Sequence, residues 1–208
     1  MSIAENLAAV EARIRAACER AGRKRSEVTL VAVSKTFPAD RVSEAIAAGV
    51  THIGENRVQE ARDKKPLVQG SARWHLIGHL QTNKAKDAVR IFDVIETVDS
   101  VELAQKVAAR EMLLQVNIGE EAQKSGVMPA DVEKTVAAIR AIDGARLIGL
   151  MAIPPIGDSR PHFRRLRQLR DRLGLEHLSM GMSEDFEAAI EEGSTMVRIG
   201  RAIFGPRG

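Results

Sequence analysis

The chain has 208 residues, of which 44% are hydrophobic and 28% are charged, so it is long enough for one domain with a full core. Its single cysteine, Cys18, excludes an intramolecular disulfide, and without a Cys/His cluster we expect no structural metal site. The net charge of +3 would permit nucleic acid binding, but 3% aromatic residues and no tyrosine leave almost no base-stacking surface. We therefore expect a cytoplasmic protein with neither a nucleic acid partner nor a membrane span, because no apolar run approaches spanning length.

The predicted elements begin with a long helix. Ser2 and Glu5 have the spacing of a capping box, and apolar residues at helical spacing continue from Ile3 to Ala17. The run VTLVAVSKT from Val28 is then apolar without alternation, which predicts a strand covered on both faces. Further strands are predicted near residues 51–56, 73–79, 93–98, 112–118, 145–153, 176–182 and 195–200, with a helix between each pair.

Eight strands in strict alternation with helices indicate an α/β fold, a single (β/α)8 TIM barrel with an extra N-terminal helix, as one domain over residues 1–208. A doubly wound open sheet is the alternative. It would need fewer strands, and no G-x-G-x-x-G follows the first strand.

In such a barrel the residues at the C-terminal ends of the strands share one face, where binding and catalytic groups collect. That face would carry Lys35, Glu55, Asn56, His79, Asn117, Met151, Ser179 to Ser183, Arg198, Gly200 and Arg201. After strands seven and eight, the Ser183 hydroxyl and a helical turn starting at Gly200 would suit a phosphate group. The plain structural alternatives are a lysine that reaches solvent at a strand tip and glycines that only turn corners.

A lysine facing a phosphate site across one barrel mouth is typical of pyridoxal 5'-phosphate (PLP), whose aldehyde forms a Schiff base with lysine. Sugar-phosphate aldolases combine the same two features. These two features alone therefore leave both interpretations open.

Longer motifs separate the two interpretations. The segments VAVSKT, GENRVQE, WHLIGHLQTNK, GLMAI, SMGMSEDFEAAI and STMVRIGRAIFG occur in this order over nearly the whole chain. With them the chain resembles the pyridoxal phosphate homeostasis proteins, which are single barrels similar to the N-terminal domain of alanine racemase. It departs from that pattern by being shorter after Ala109 and between Ile156 and Pro161.

The resemblance implies a role for each site residue. Lys35 would carry PLP as a Schiff base, and Arg198 would face the pyridine nitrogen. The phosphate would be held by Ser183 and by the backbone of Gly200 and Arg201. Three further residues are implied as secondary pocket residues: Asn56, Met151 and Ser179.

The resemblance also implies a function, namely binding, buffering and supplying PLP without established turnover. The implied partners are PLP and PLP-dependent apoenzymes, and a monomer is expected. Because arginine only donates hydrogen bonds, Arg198 would leave the ring nitrogen unprotonated, which disfavours transaminase chemistry.

The alternative function is a PLP-dependent amino-acid racemase. Similar racemases use a tyrosine as a second base and a second domain, and this sequence has neither. His79 is the residue that could flank the cofactor ring instead. It would lie about 13 Å from His75 along a strand, too far for the two to share a metal ion.

Overall fold

The computed structural model describes residues 2–206, and within them eight parallel strands form a closed barrel in chain order, with the first strand paired to the last. The strands are β1 Thr29–Val33, β2 His52–Glu55, β3 Arg73–Leu76, β4 Val94–Val98, β5 Glu111–Gln115, β6 Arg146–Met151, β7 His177–Ser179 and β8 Met196–Ile199. The helices are α1 Ile3–Arg20, α2 Ala39–Ala47, α3 Val58–Lys64, α4 Ala85–Ile91, α5 Val101–Val107, α6 Val132–Arg140, α7 Arg160–Leu173, α8 Phe186–Glu191 and α9 Arg201–Phe204. The predicted TIM barrel with an extra N-terminal helix is confirmed. The ends of the predicted 1–208 domain, residues 1, 207 and 208, lie outside the described range.

The extra helix α1 starts at the predicted capping box. The Ser2 amide donates to Glu5 Oε2 over 2.7 Å, and the Glu5 amide donates to Ser2 Oγ over 3.2 Å. One face of α1 is buried, including Cys18, while the Asn6 side chain donates to the carbonyl of Ile203 in α9 over 3.0 Å. The helix therefore covers the side of the barrel where β8 meets β1.

The strands are shorter than the apolar runs that predicted them. β3 ends at Leu76, so Gly78 and His79 lie in the following loop rather than on the strand. That loop passes very close to the end of β2, because a Cβ on Gly78 would lie 2.2 Å from the carbonyl oxygen of Asn56. The apolar character of the run reflects burial, which continues beyond the last ladder hydrogen bond.

Successive side chains of each strand alternate between the barrel interior and the layer under the helices. Ile95 of β4 packs into the large apolar layer under the helices, whereas its neighbour Val94 packs inside the barrel with Leu113, Met151 and Met196. Several polar side chains also lie inside the barrel, and they bear on the site described below.

The arginine-rich helix α7 has the predicted arrangement. Phe163, Leu166 and Leu169 are buried against the strands, and the arginines form ion pairs on the outer side, such as Arg164 with Glu192 at 2.9 Å. In the part of the chain that the structure describes, no helix has both the length and the apolar character needed to cross a membrane.

Candidate functional site

A cavity of about 550 Å³ lies at the C-terminal ends of the strands, within the size range of small-ligand sites. Six of the predicted site residues line it: Lys35, Asn56, Ser183, Arg198, Gly200 and Arg201. The barrel thus brings together side chains from the first 60 residues and the last 30 of the chain, because β1 and β8 are neighbours.

Lys35 lies in a tight turn directly after β1 and is half-buried. The next residue, Thr36, has a left-handed backbone with φ of 70°. A β-branched residue in this region costs about 1 to 3 kcal/mol and persists only where its surroundings hold it there.

Four residues around this turn form what we call the outer cluster: Ser34, Glu55, Glu60 and Lys64. Lys64 Nζ donates to Glu55 Oε1 over 2.6 Å and to the Ser34 carbonyl over 2.9 Å. It also donates to Glu60 Oε1 over 2.9 Å, and Glu60 accepts a bond from the amide of Thr36 over 2.5 Å. Glu60 and Lys64 of helix α3 therefore hold the strained turn in place. Lys35, in that turn, lines the cavity.

Burial raises the pKa of Glu55, although hydrogen bonds from Lys64 and Ser34 oppose the rise. Among residues 2–206 the second oxygen of this carboxylate, Oε2, has no hydrogen-bond partner. Burial would also raise the pKa of Glu60, but hydrogen bonds from Lys64 and the Thr36 amide outweigh it and lower the pKa.

On the neighbouring strand, the predicted helical turn after β8 is present as α9, which begins at Arg201 directly after Gly200. A Cβ on Gly200 would lie 3.2 Å from the carbonyl oxygen of Val33, so glycine allows β8 to approach β1 closely here. Ser183 lies in the turn before α8, and the Arg201 guanidinium is paired with Glu184 at 2.9 Å.

Arg198 of β8 also lines the cavity and is buried. Its NH1 group donates to Ser179 Oγ over 2.5 Å, and its NH2 group donates to the Ala152 carbonyl over 3.0 Å. Burial lowers the pKa of Arg198, while the charges of Glu96 and Asp185 oppose this effect. The side chain is thus a fixed hydrogen-bond donor at the floor of the cavity.

Comparison with known proteins places this geometry in a family. A family model described as "Alanine racemase, N-terminal domain" matches residues 6–208. A curated relative from Pseudomonas aeruginosa, named pyridoxal phosphate homeostasis protein, is 45% identical over 221 residues, which cover 99% of this chain and 96% of the relative. The chain belongs to this family.

Solved structures agree with this assignment. PipY from Synechococcus elongatus, whose structure has PLP bound, matches with a TM-score of 0.84 and 36% identity over 98% of this chain and 100% of PipY. Alanine racemase from Corynebacterium glutamicum matches with a TM-score of 0.70 and 19% identity over 95% of this chain but only 60% of the racemase. The second likeness concerns the barrel fold alone.

Two predicted pocket residues do not line the cavity. Met151 is buried in the apolar cluster inside the barrel, and Ser179 is buried between Arg198 and Glu96. Both are the last residues of their strands, β6 and β7, and both are buried. Their role in binding stays a prediction.

Other strand-end residues also lie apart from the cavity. Asn117 is bonded to the backbone of Glu121 in its own loop. His79 has Nδ1 3.5 Å from Asp99 Oδ2 and lines a neighbouring cavity of about 290 Å³, which shares Asn56 with the first. Lys35 does not line that second cavity.

Sequence reasoning missed part of the cavity wall. The loop after β6, residues 153–157, also lines the cavity. The segment IPPIG could have indicated this part of the wall, because an apolar loop at the C-terminal end of a barrel strand lies beside the ligand site. His52, at the start of β2, has its Nδ1 2.8 Å from Nε2 of the buried His75.

Proposed function

We propose that the protein binds PLP in the mouth of the barrel and acts in intracellular PLP homeostasis, holding the cofactor as a Schiff base with Lys35. The observation that carries this proposal is the cavity itself, which is lined by a lysine just after β1 together with Ser183, Gly200 and the start of α9. The PLP bound to PipY and the name of the Pseudomonas aeruginosa relative support it.

The residues around the cavity suit this cofactor. Forming the Schiff base replaces the aldehyde oxygen by the lysine nitrogen and releases one water molecule. The lysine nitrogen must reach the aldehyde carbon, so the lysine has to be held beside the cavity. The outer cluster provides this by fixing the backbone on both sides of Lys35. When bound, PLP supplies an electrophilic aldehyde and an electron-accepting ring.

The phosphate would be held by the Ser183 hydroxyl and the backbone at Gly200 and Arg201. The first N–H groups of a helix have no partner within it, and glycine lets an anion approach them closely. The Arg201 side chain is turned to Glu184, so its contribution would come from the backbone. Asn56, Met151 and Ser179 would be secondary contacts.

We further propose a carrier rather than an enzyme. Arg198 can donate to the pyridine nitrogen but has too high a pKa to protonate it, which weakens the ring as an electron sink. On this proposal the protein works in the cytoplasm as a monomer, and PLP-dependent apoenzymes receive the cofactor.

The binding proposal is tested by titrating the purified protein with PLP and recording visible absorbance. Wild type is expected to develop the band of a Schiff base, and Lys35→Ala is not. Lys84→Ala is the matched control, because Lys84 lines only the neighbouring cavity and should leave the band unchanged. A band that survives in Lys35→Ala and disappears in Lys84→Ala would move the site to the second cavity.

The second candidate function, an amino-acid racemase, has the family's barrel in its favour. A racemase needs a base on each face of the substrate carbon. His79 is the candidate for the second base, but it lines the neighbouring cavity. We expect α-proton exchange of L- and D-alanine in deuterated water to stay at the level of free PLP. Exchange that requires Lys35, disappears in His79→Ala and converts one enantiomer to the other would show an enzyme.

A further inference from the structure

Five buried or half-buried side chains form a continuous series of hydrogen bonds inside the barrel, which we call the interior chain: His52, His75, Glu96, Ser179 and Arg198. It begins at His52, where β2 enters the barrel, and ends at Arg198 in the floor of the cavity. The successive distances are 2.8, 2.7, 2.5 and 2.5 Å.

Donors from both sides point towards the carboxylate of Glu96. Arg198 can only donate, so Ser179 Oγ accepts from it and uses its own proton to donate to Glu96 Oε2. On the other side, an ionised Glu96 Oε1 accepts from Nδ1 of His75. Nε2 of His75 lies 2.8 Å from Nδ1 of His52, so one of the two rings donates to the other and His52 holds the His75 ring in place.

Glu96 is also the counter-ion of Arg198, whose NH1 lies 3.8 Å from Glu96 Oε2. Burial would raise the pKa of Glu96, but hydrogen bonds from His75 and Ser179 and the charge of Arg198 hold it below its ordinary value. The other charged groups that act on the chain are Asp185, beside Arg198, and Arg73 and Asp93, beside His52. A charged arginine that is buried loses its hydration, and a paired carboxylate offsets part of that cost.

We propose that Glu96 is a positioning residue of the cofactor site: acting through Ser179, it fixes the Arg198 guanidinium at the floor of the cavity, and His75 and His52 fix Glu96 in turn. This rests on the proposed PLP function and deepens it, because it gives Ser179 a role in placing Arg198. The geometry of the site then depends on residues that lie far below it inside the barrel.

The test is a double-mutant cycle on PLP affinity with Glu96→Gln and Arg198→Met. Glutamine keeps the shape of the side chain and removes the charge that holds the arginine. We expect each single variant to weaken PLP binding by about tenfold or more, roughly 1.4 kcal/mol. If Glu96 acts through Arg198, the double variant should bind no more weakly than Arg198→Met alone.

The matched control is Glu55→Gln, a second fully buried glutamate with no contact to Arg198. Its effect on affinity should add to that of Arg198→Met. Additive effects of Glu96→Gln and Arg198→Met would overturn the proposal, since they would show that Glu96 supports the fold in general. The visible absorbance maximum gives a second readout, and it should shift in the same direction in Glu96→Gln and Arg198→Met.

If Glu96→Gln does not fold, Ser179→Ala takes its place in the cycle. This variant removes the hydrogen bonds that join Arg198 to Glu96 and leaves both charges in place. The failure of the proposed function would look different. Wild type would then not bind PLP at all, whereas the positioning role fails when wild type binds PLP and Glu96→Gln and Ser179→Ala bind it equally well.

Discussion

Glu55 and Glu96 are both fully buried, yet the pKa of Glu55 is raised and that of Glu96 is lowered. Glu55 faces outwards to α3, and only one of its oxygens has hydrogen-bond partners among the described residues. Glu96 faces inwards, both of its oxygens accept hydrogen bonds, and Arg198 lies nearby. Equal burial thus gives opposite pKa shifts although each carboxylate accepts two hydrogen bonds. The charges of His75 and Arg198 both lower the pKa of Glu96, whereas at Glu55 the charge of Glu60 opposes that of Lys64.

The two carboxylates also serve the cavity differently. Glu55 belongs to a cluster that holds the backbone turn of Lys35, and Glu96 belongs to a chain that holds the side chain of Arg198. One therefore holds the backbone turn at Lys35 in place, and the other holds a hydrogen-bond donor in place. The geometry of the cavity therefore depends both on the outer cluster and on the interior chain.

The largest expected effect removes the cation of the outer cluster. Lys64→Met leaves Glu55 buried without its partner and should lower the free energy of unfolding by roughly 3 to 5 kcal/mol at about pH 8. The loss should be smaller at about pH 5. The folded-state pKa of Glu55 is already raised and rises further without Lys64, so stability is lost as pH increases above the ordinary value of 4.5.

Urea denaturation at the two pH values measures this difference. Lys106→Met is the control, because its ion pair with Glu102 is exposed and should contribute less than about 1 kcal/mol at either pH. An equal loss for Lys64→Met at both pH values would mean that Glu55 does not take up a proton when its partner is removed.

A smaller effect is expected at the rim of the cavity, outside both networks. Ser183→Ala should weaken PLP binding by about 1 to 3 kcal/mol, the scale of a lost hydrogen bond to a charged group. The midpoint of thermal unfolding without PLP should not change, since Ser183 is half-buried in a turn. Unchanged affinity in the absorbance titration would place the phosphate elsewhere.

The smallest effect concerns the far end of the interior chain. Burial, followed by the charges of His75 and Arg73, lowers the pKa of His52 from 6.5 to about 4. Between these values the unfolded chain binds a proton that the folded one does not, so stability falls as pH drops from 6.5 towards 4. Allowing for its partial exposure, this contributes roughly 1 to 2 kcal/mol.

The variant His52→Asn, which has no titrating group, should lose this part of the pH dependence. Parallel unfolding curves of the variant and wild type across that pH range would show it as a smaller slope of stability against pH. Identical slopes would mean that His52 is free to take up a proton in the folded protein.

The sequence alone was enough to predict the barrel and much of its mouth. Apolar runs without alternation marked the strands, and Lys35, Ser183 and Gly200 followed directly from where those strands end. The capping box of Ser2 and Glu5 also predicted where α1 begins.

The interior chain could not be predicted in this way. Ser179 and Glu96 are 83 residues apart and meet only because the barrel closes. Glu96 stands between Ile95 and Thr97 in a run that predicts an ordinary buried strand, and nothing in the sequence says which side of the barrel wall it faces. His52 lies at the start of a strand, where an exposed position is common, so its contact with His75 gave no local signal.

The central claim is that Lys35 at the mouth of the barrel holds PLP covalently. Incubating the protein with PLP, reducing with borohydride and mapping the modified peptide by mass spectrometry tests it most directly. We expect one stoichiometric adduct on Lys35 and none in Lys35→Ala. A stoichiometric adduct on Lys84 in the neighbouring cavity, or on Lys134 on the outer helix α6, with Lys35 unmodified, would contradict it.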